Sequence, residues 1–428
     1  MTVDLQTPIL VPDLRAVNFF NGRFVSGEDM TDEQNAQRAA HELLGRSIGD
    51  GIVDGLEVVA ASFDSTAQTP LLAVHAGLAV NRRGEVLRLP SDTIVRLARP
   101  PVPPAVAEAV EVFHTCTPPQ ETSPLEPSAI YLLTICSGRK GDGTTSTAGM
   151  GALRTHCNLR WIVDSVEFRL INLNVSQDLL TIPERVRNGV AYACFGATAR
   201  QEFSVNPFGE TRTPPSLLDA LRGTLLTDCD VPLAILQWTT DGVQFLDLWS
   251  VRRRCAAGSL DAGAMAFSNR ATAVSEAMQN QFAAQLDDLR RSAANPETID
   301  ARRHFRFLPA AGLLPVSSGA VTRFNADTFF TGKTVSRPWF IEAADVEAIL
   351  SESIHYPPID LDDPEMVWIY LVHENRAALD FSSFRAFLDP SILPFDTTPS
   401  YVLFANANLP FFGDARFNRS HFNFSNFG

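Results

Sequence analysis

Apolar and polar positions follow several different rhythms along this chain. From Thr31 onward, Ala36, Ala39, Ala40, Leu43 and Leu44 recur at helical spacing, with Asp32, Glu33, Gln37, Arg38 and Glu42 between them. That pattern predicts a helix with a narrow apolar stripe. Residues 26–29 read as a turn, and Thr31 with Gln34 as a capping box. Gly45 or Gly49 is the expected stop, since glycine takes the left-handed end conformation at little steric cost. Residues 52–59 are half-apolar and β-branched, which predicts a strand. Residues 71–74 and 77–80 alternate, and 81–84 form a turn with Gly84 at the positive-φ position. Residues 85–89 return as a hairpin, and 94–97 add a strand.

The rhythm then changes. Residues 130–136 are unbroken in apolar character, as in a buried strand. Residues 137–151 hold five glycines among serines and threonines and read as a long mobile loop. Residues 159–173 suit one or two strands, 190–195 a short strand, and 231–249 a hairpin turning at 239–242. Short strands at regular spacing argue for a β-sandwich or barrel-like core over 130–255. Across 268–293, Val274, Met278, Phe282 and Leu286 step by four, joined by Ala271, Ala277 and Leu289. Such a stripe either seams with symmetry mates or lies on the chain's own sheet. The strict four-residue step drifts around the helix and disfavours a long coiled coil. Beyond 302 the chain is rich in phenylalanine, with a helix at 344–352 and strands at 366–372 and 401–405.

The fold class expected is mixed and β-rich (α+β), in short-strand sandwich or barrel-like modules. Residues 1–98 form an N-terminal docking module of arm, helix and hairpin. Residues 99–128, with eight prolines, are a linker, and 105–112 could hold a short helix. Residues 129–257 are a β-rich domain, 258–298 a helical connector, and 299–428 a C-terminal domain with an apolar tail. The arm (1–16) and the tail (411–427) carry apolar residues that want burial, on their own core or on a neighbour.

Composition narrows the partners. A formal charge of −14 at pH 7 argues against nucleic acid, because phosphate contacts want clustered Lys and Arg. The one dense basic run, Arg252-Arg253-Arg254, reads as a strand end or ion-pair site. Six widely spaced cysteines without a C-x-x-C read as reduced, buried thiols. No signal-peptide pattern opens the chain and no run approaches a membrane span, so synthesis in the cytoplasm without membrane insertion is expected.

Several stretches carry a family resemblance. They are 18–23 (Asn-Phe-Phe-Asn-Gly-Arg), 27–34 (Gly-Glu-Asp-Met-Thr-Asp-Glu-Gln) and 51–58 (Gly-Ile-Val-Asp-Gly-Leu-Glu-Val). Echoes follow at 77–85, 231–236, 247–254 and 357–361. The chain resembles proteins encoded with phage-tail-like contractile injection systems and related phage tails. That implies a baseplate- or tail-fibre-associated component, found on an assembled particle that can be released from the cell. Its implied partners are copies of itself, with a trimer favoured, and other particle proteins.

Chemical motifs add little. Gly45-Arg46-Ser47-Ile48-Gly49 matches the G-x-S-x-G of serine hydrolases. That chemistry needs strand, strained turn, then helix, and here the order is reversed. Gly332-Lys333-Thr334 ends like a phosphate-binding loop, but Asp327 stands where the first glycine belongs and Phe329 and Phe330 fill the loop. His114, Cys116, His156 and Cys157 could meet at zinc but lack paired ligand spacing. Asp360, Asp362, Asp363 and Glu365 could hold calcium, yet Pro364 restricts them and a solvated turn is preferred. No catalytic, cofactor-binding or metal residue is therefore assigned. The expectation is a structural component that acts by assembly. The alternative is a receptor- or carbohydrate-binding fibre module that uses the loop 137–151, and a hydrolase with Ser47 as nucleophile is the remote one.

Overall fold

The computed structural model describes residues 16–64, 69–98, 112–113, 116, 125–147, 156–197, 216–239, 242–255, 269–317, 321–373 and 401–409. The expectations for the arm 1–15, for residues 105–111 of the short helix, for residues 148–151 of the loop and for the tail 411–427 lie outside these residues. The fold is mixed α+β with several small, mostly antiparallel sheets, and none closes into a barrel among the described residues. The chain divides into two compact units. The first comprises residues 1–172, 222–246 and 252–258, and the second 173–221, 247–251 and 259–428.

The first unit opens with helix α1 (Gly27–Ile48). It begins four residues earlier than the Thr31 start. Ser26 is the N-cap, and its hydroxyl and the Asp29 carboxylate close the capping box reciprocally, so the expected turn 26–29 is the helix start itself. The helix ends at Gly49 and runs through Gly45.

Strands β1 (Gly51–Gly55) and β2 (Val58–Asp64) replace the single strand expected over 52–59. The chain breaks because Gly55 and buried Leu56 both sit at positive φ, 60° and 61°. They join β3 (Thr69–Val74), β4 (Gly77–Val80), β5 (Val86–Leu89) and β6 (Thr93–Arg96) in two three-stranded sheets, β1-β4-β5 and β2-β3-β6. The expected hairpin is present as β4–β5. Asn81 Oδ1 accepts from the N–H groups of Arg83 and Glu85, and Gly84 has φ 86°.

The third sheet holds β7 (Val112–Phe113), β8 (Ile130–Thr147), β9 (His156–Asn172), β10 (Asp230–Thr239) and β11 (Gly242–Asp247). Its order is β11-β10-β8-β7, with β9 on the other edge of β8. The loop expected from 137 is a strand through 147, paired residue for residue with β9. Two intact strands in one register supply the backbone partners that Gly138 and Gly141 would otherwise lack. A buried ion pair anchors the base of the sheet. Asp230, 2% exposed, accepts from Arg169, Thr134 and the backbone and hydroxyl of Thr227. Cys229 forms a disulfide with Cys116, so these two are not the reduced thiols expected; their Cα atoms lie 6.1 Å apart, within disulfide range. In the basic run, Arg252 pairs with Glu57.

In the second unit, residues 190–195 belong to helix α2 (Val186–Phe195), not to a strand. A short, wholly apolar run fits either element. Gly196 at φ 71° caps the helix, and Asn188 fixes it by bonding the backbone of Arg306 and Phe307. Helix α3 (Asn269–Ser292) carries the four-step stripe. Val274, Met278, Phe282 and Leu286 are all buried in this unit's own core. Of the two alternatives, packing on its own fold is the one found. Phe282 meets Phe305 and Phe404 at ring centroids 5.5 and 5.4 Å apart, and Phe329 and Phe330 join the same cluster.

Strands β12 (Phe307–Leu308) and β15 (Ile359–Asp360) pair with each other. Strands β13 (Ala311–Pro315), β14 (Trp339–Glu342), β16 (Val367–His373) and β17 (Tyr401–Asn406) form a sheet in the order β13-β17-β16-β14. Helix α4 (Ala343–Ser353) packs on it.

Burial pushes His304, at the end of the short helix 301–304, below the usual imidazole range, against the opposing pull of Glu184. A base with a depressed folded pKa leaves stability complete above the unfolded value of about 6.5. Stability is then lost as pH falls through the lower folded value. The unfolding midpoint is therefore expected to be lower at pH 5.5 than at pH 7.5, and His304→Gln should shrink that difference. An unchanged difference would remove His304 as its source.

Candidate docking surface

The arm before α1 is tied to the helix start by short polar contacts. Arg23 pairs with Asp29 and donates to the Asn18 carbonyl, and the Val17 N–H donates to Glu33. Bonds from the Ser26 backbone and hydroxyl, then Arg23, hold the Asp29 carboxyl below its ordinary range. These contacts orient the arm but leave its apolar side chains uncovered. Phe24 is 97% exposed, Phe20 62% and Phe19 51%. The α1 stripe is also open, with Leu44 62% exposed and Leu43, Ile48 and Met30 alongside.

What fixes α1 is a glycine contact. A Cβ on Gly45 would lie 2.1 Å from the Gly84 carbonyl oxygen, and one on Gly84 would lie 1.9 Å from the Glu42 carbonyl oxygen. Helix and hairpin thus touch backbone to backbone, and Gly45 is the helix's buried residue. The Leu43–Leu44 side is left to solvent. Sequence reasoning found the stripe but had no means of telling that its wider part stays uncovered.

A second exposed surface lies on the β8–β9 ribbon. Beyond the short pairing of β7 with Arg139 and Lys140, β8 and β9 continue as two strands only, among the described residues. Trp161, Ile162 and Val163 of β9 are 57%, 60% and 48% exposed. Neighbours on a strand point to opposite faces, so the ribbon presents apolar groups on both. Arg160 stacks over Trp161, and Asp164 pairs with Arg139 across the ribbon.

The motif residues go elsewhere. Ser47 lies in the last turn of α1 and its hydroxyl donates to the Leu44 carbonyl. Lys333 Nζ donates to the backbone carbonyls of Asp360 and Asp363, and burial lowers its pKa. Arg185 and Arg302 pair with Asp362 of the same acidic turn. Protein cations therefore sit where calcium was considered. A cavity of about 80 Å³ beside this turn, lined by Lys333, Asp363, Glu365 and Asn408, is far smaller than the ~300 Å³ at which organic ligand sites begin. Cys116, a candidate zinc ligand, is held in its disulfide, while His114, and the side chains of His156 and Cys157, lie outside the described residues.

No helix among the described residues is long and apolar enough to cross a membrane. Compared with models of known protein families and with curated protein sequences, the chain matches none.

Proposed function

We propose that this chain is a structural component of a phage-tail-like contractile injection particle (baseplate, fibre or accessory shell) that works by protein–protein assembly. Its partners are copies of itself and other particle proteins. The observation that carries the reading is the uncovered apolar side chains of the arm and helix between Phe19 and Ile48. Large apolar side chains left exposed in such number mark contact with other protein. The sequence resemblance of residues 18–34 and 51–58 falls on and beside that surface and supplies the kind of particle.

The test uses affinity-tagged full-length chain in particle-producing cells, with gold label viewed by electron microscopy. Label is expected on the particles. Phe24→Asp and Leu44→Asp, changes at exposed positions that should alter stability by no more than about 0.5 kcal/mol, are expected to abolish it. Particles that carry no label with the unaltered chain, or that keep it with both substitutions, would overturn the reading.

A further inference from the structure

Strand β9 is an edge strand. Among the described residues its only ladder partner is β8, so its outer backbone edge is hydrogen-bonded to no other strand. Natural edges are normally blunted by inward charges, proline, bulges or short length. This one is 17 residues long, contains no proline and keeps one unbroken register with β8. At its outer part the sequence is Arg160-Trp161-Ile162-Val163-Asp164, with all five exposed.

We propose that a second copy of this chain pairs antiparallel with this edge, about a two-fold axis at Ile162. Antiparallel strands place opposite residues on the same face with Cβ atoms about 5 Å apart. In this register Arg160 lies opposite Asp164 of the other copy, and the symmetry repeats that pair. Trp161 lies opposite Val163, again twice, and Ile162 opposite itself. Charge complementarity selects the register and the occupant together. A shift by one residue sets Trp161 against Asp164, and a shift by two sets Arg160 against Val166. Asp164 is 82% exposed at its side chain, so it can receive Arg160 of the second copy while keeping Arg139. Two β8–β9 ribbons would thereby join into one continuous sheet, which packs the three exposed apolar side chains against their cross-strand counterparts and satisfies the open backbone edge.

The contact rests on the assembly reading for its premise that exposed apolar surface is there to be covered by protein. It goes further in naming the face and in requiring a two-fold contact, which closes at two copies. A strand edge buries less than the roughly 1,600 Å² of a standard interface, so the dimer is expected to depend on concentration.

Light scattering on the full chain across a concentration series should rise from 46.8 kDa toward twice that mass. Arg160→Asp alone and Asp164→Arg alone set like charges opposite each other and should leave monomers. An equal mixture of those two variants should restore the dimer, because each then meets its complement at both ends. Ile162→Cys should cross-link to a covalent dimer on mild oxidation, since only that position faces itself; this arm does not depend on the charge variants folding. A wild-type chain that stays monomeric, a trimer, an oligomer that both charge variants leave intact, or a dimer in which Ile162→Cys fails to cross-link would overturn the contact. A monomer that still labels the particle would sink this contact alone, and a dimer that never labels it would sink the assembly reading alone.

Discussion

Replacing Gly84 by alanine is expected to destabilise the first unit by about 2–5 kcal/mol and to loosen α1 from the β4–β5 hairpin. Two costs add. Gly84 sits at φ 86°, where an L-residue pays about 1–2 kcal/mol. Its Cβ would also press into the Glu42 carbonyl at 1.9 Å, an overpacking that typically costs about 1–3 kcal/mol. Gly45→Ala separates the two causes, since Gly45 is helical and alanine would gain about 1 kcal/mol there on helix propensity alone. If Gly45→Ala also destabilises, the close approach is the reason. Denaturant unfolding of both variants, with hydrogen exchange at the α1 amides, reads the effect. A neutral Gly84→Ala or a stabilising Gly45→Ala would mean that the helix does not rest on the hairpin. Because this contact leaves Leu43, Leu44 and Ile48 facing solvent, a loosened α1 should also dock poorly.

The two long helices show how far the sequence could be read. Both stripes were visible, at 36–44 and at 274–286, because helical spacing is a local property. What covers a stripe is not local. Phe282 and Leu286 of α3 are buried against Phe305, Phe329 and Phe404, while Leu43 and Leu44 of α1 are open. Gln281 and Gln285 are buried beside that stripe. They form a chain in which Gln281 donates to Asp247 and to Gln285, and Gln285 donates to the His304 carbonyl. Nothing local marks them as buried, since only partners distant in sequence make a buried amide tolerable. The hairpin at 77–89 was legible down to the positive φ of Gly84, because turn chemistry is written in adjacent residues, but the contact of Gly84 with α1 was not.

The misreadings share a cause. Residues 137–147 look like a loop because glycine, serine and threonine disfavour strands on their own. A partner strand holds them, and its register is set by Tyr131 to Cys136 at the other end of β8. Residues 190–195 looked like a strand because a six-residue apolar run has no period to count. The exposed β9 edge was beyond reach for the same reason as the α1 stripe: alternation predicts a strand but not which of its neighbours is missing.

Reducing the disulfide between Cys116 and Cys229, or replacing Cys229 by serine, is expected to cost the first unit roughly 2–5 kcal/mol. The bond closes a loop with a sequence separation of 113 residues. Constraining an unfolded chain over ~100 residues is worth about 4.7 kcal/mol in the loop-entropy account, and measured removals fall in the quoted range. For a unit of ~200 residues that corresponds to a fall of roughly 4–20 °C in melting temperature. Calorimetry with and without reductant reads it. Thiol alkylation of the unfolded, unreduced chain gives the pairing directly, with Cys136, Cys194 and Cys255 modified and Cys116 and Cys229 protected. The neighbouring thiol should not scramble the bond. Cys136 lies opposite Asp230 in the β8–β10 register, one residue from Cys229, but burial, helped by the Asp230 charge, pushes its pKa to about 12. Thiolate is the attacking species in exchange, so a thiol kept neutral there is inert. Disulfides form in oxidising surroundings and stay open in a reduced cytoplasm. On the function proposed above, a chain made in the cytoplasm and carried out on a particle would gain this cross-link after release, and such particles purified under oxidising conditions should hold a first unit that melts higher than the freshly synthesised chain. Alkylation of Cys116 without reductant in released particles would refute both the pairing and the gain.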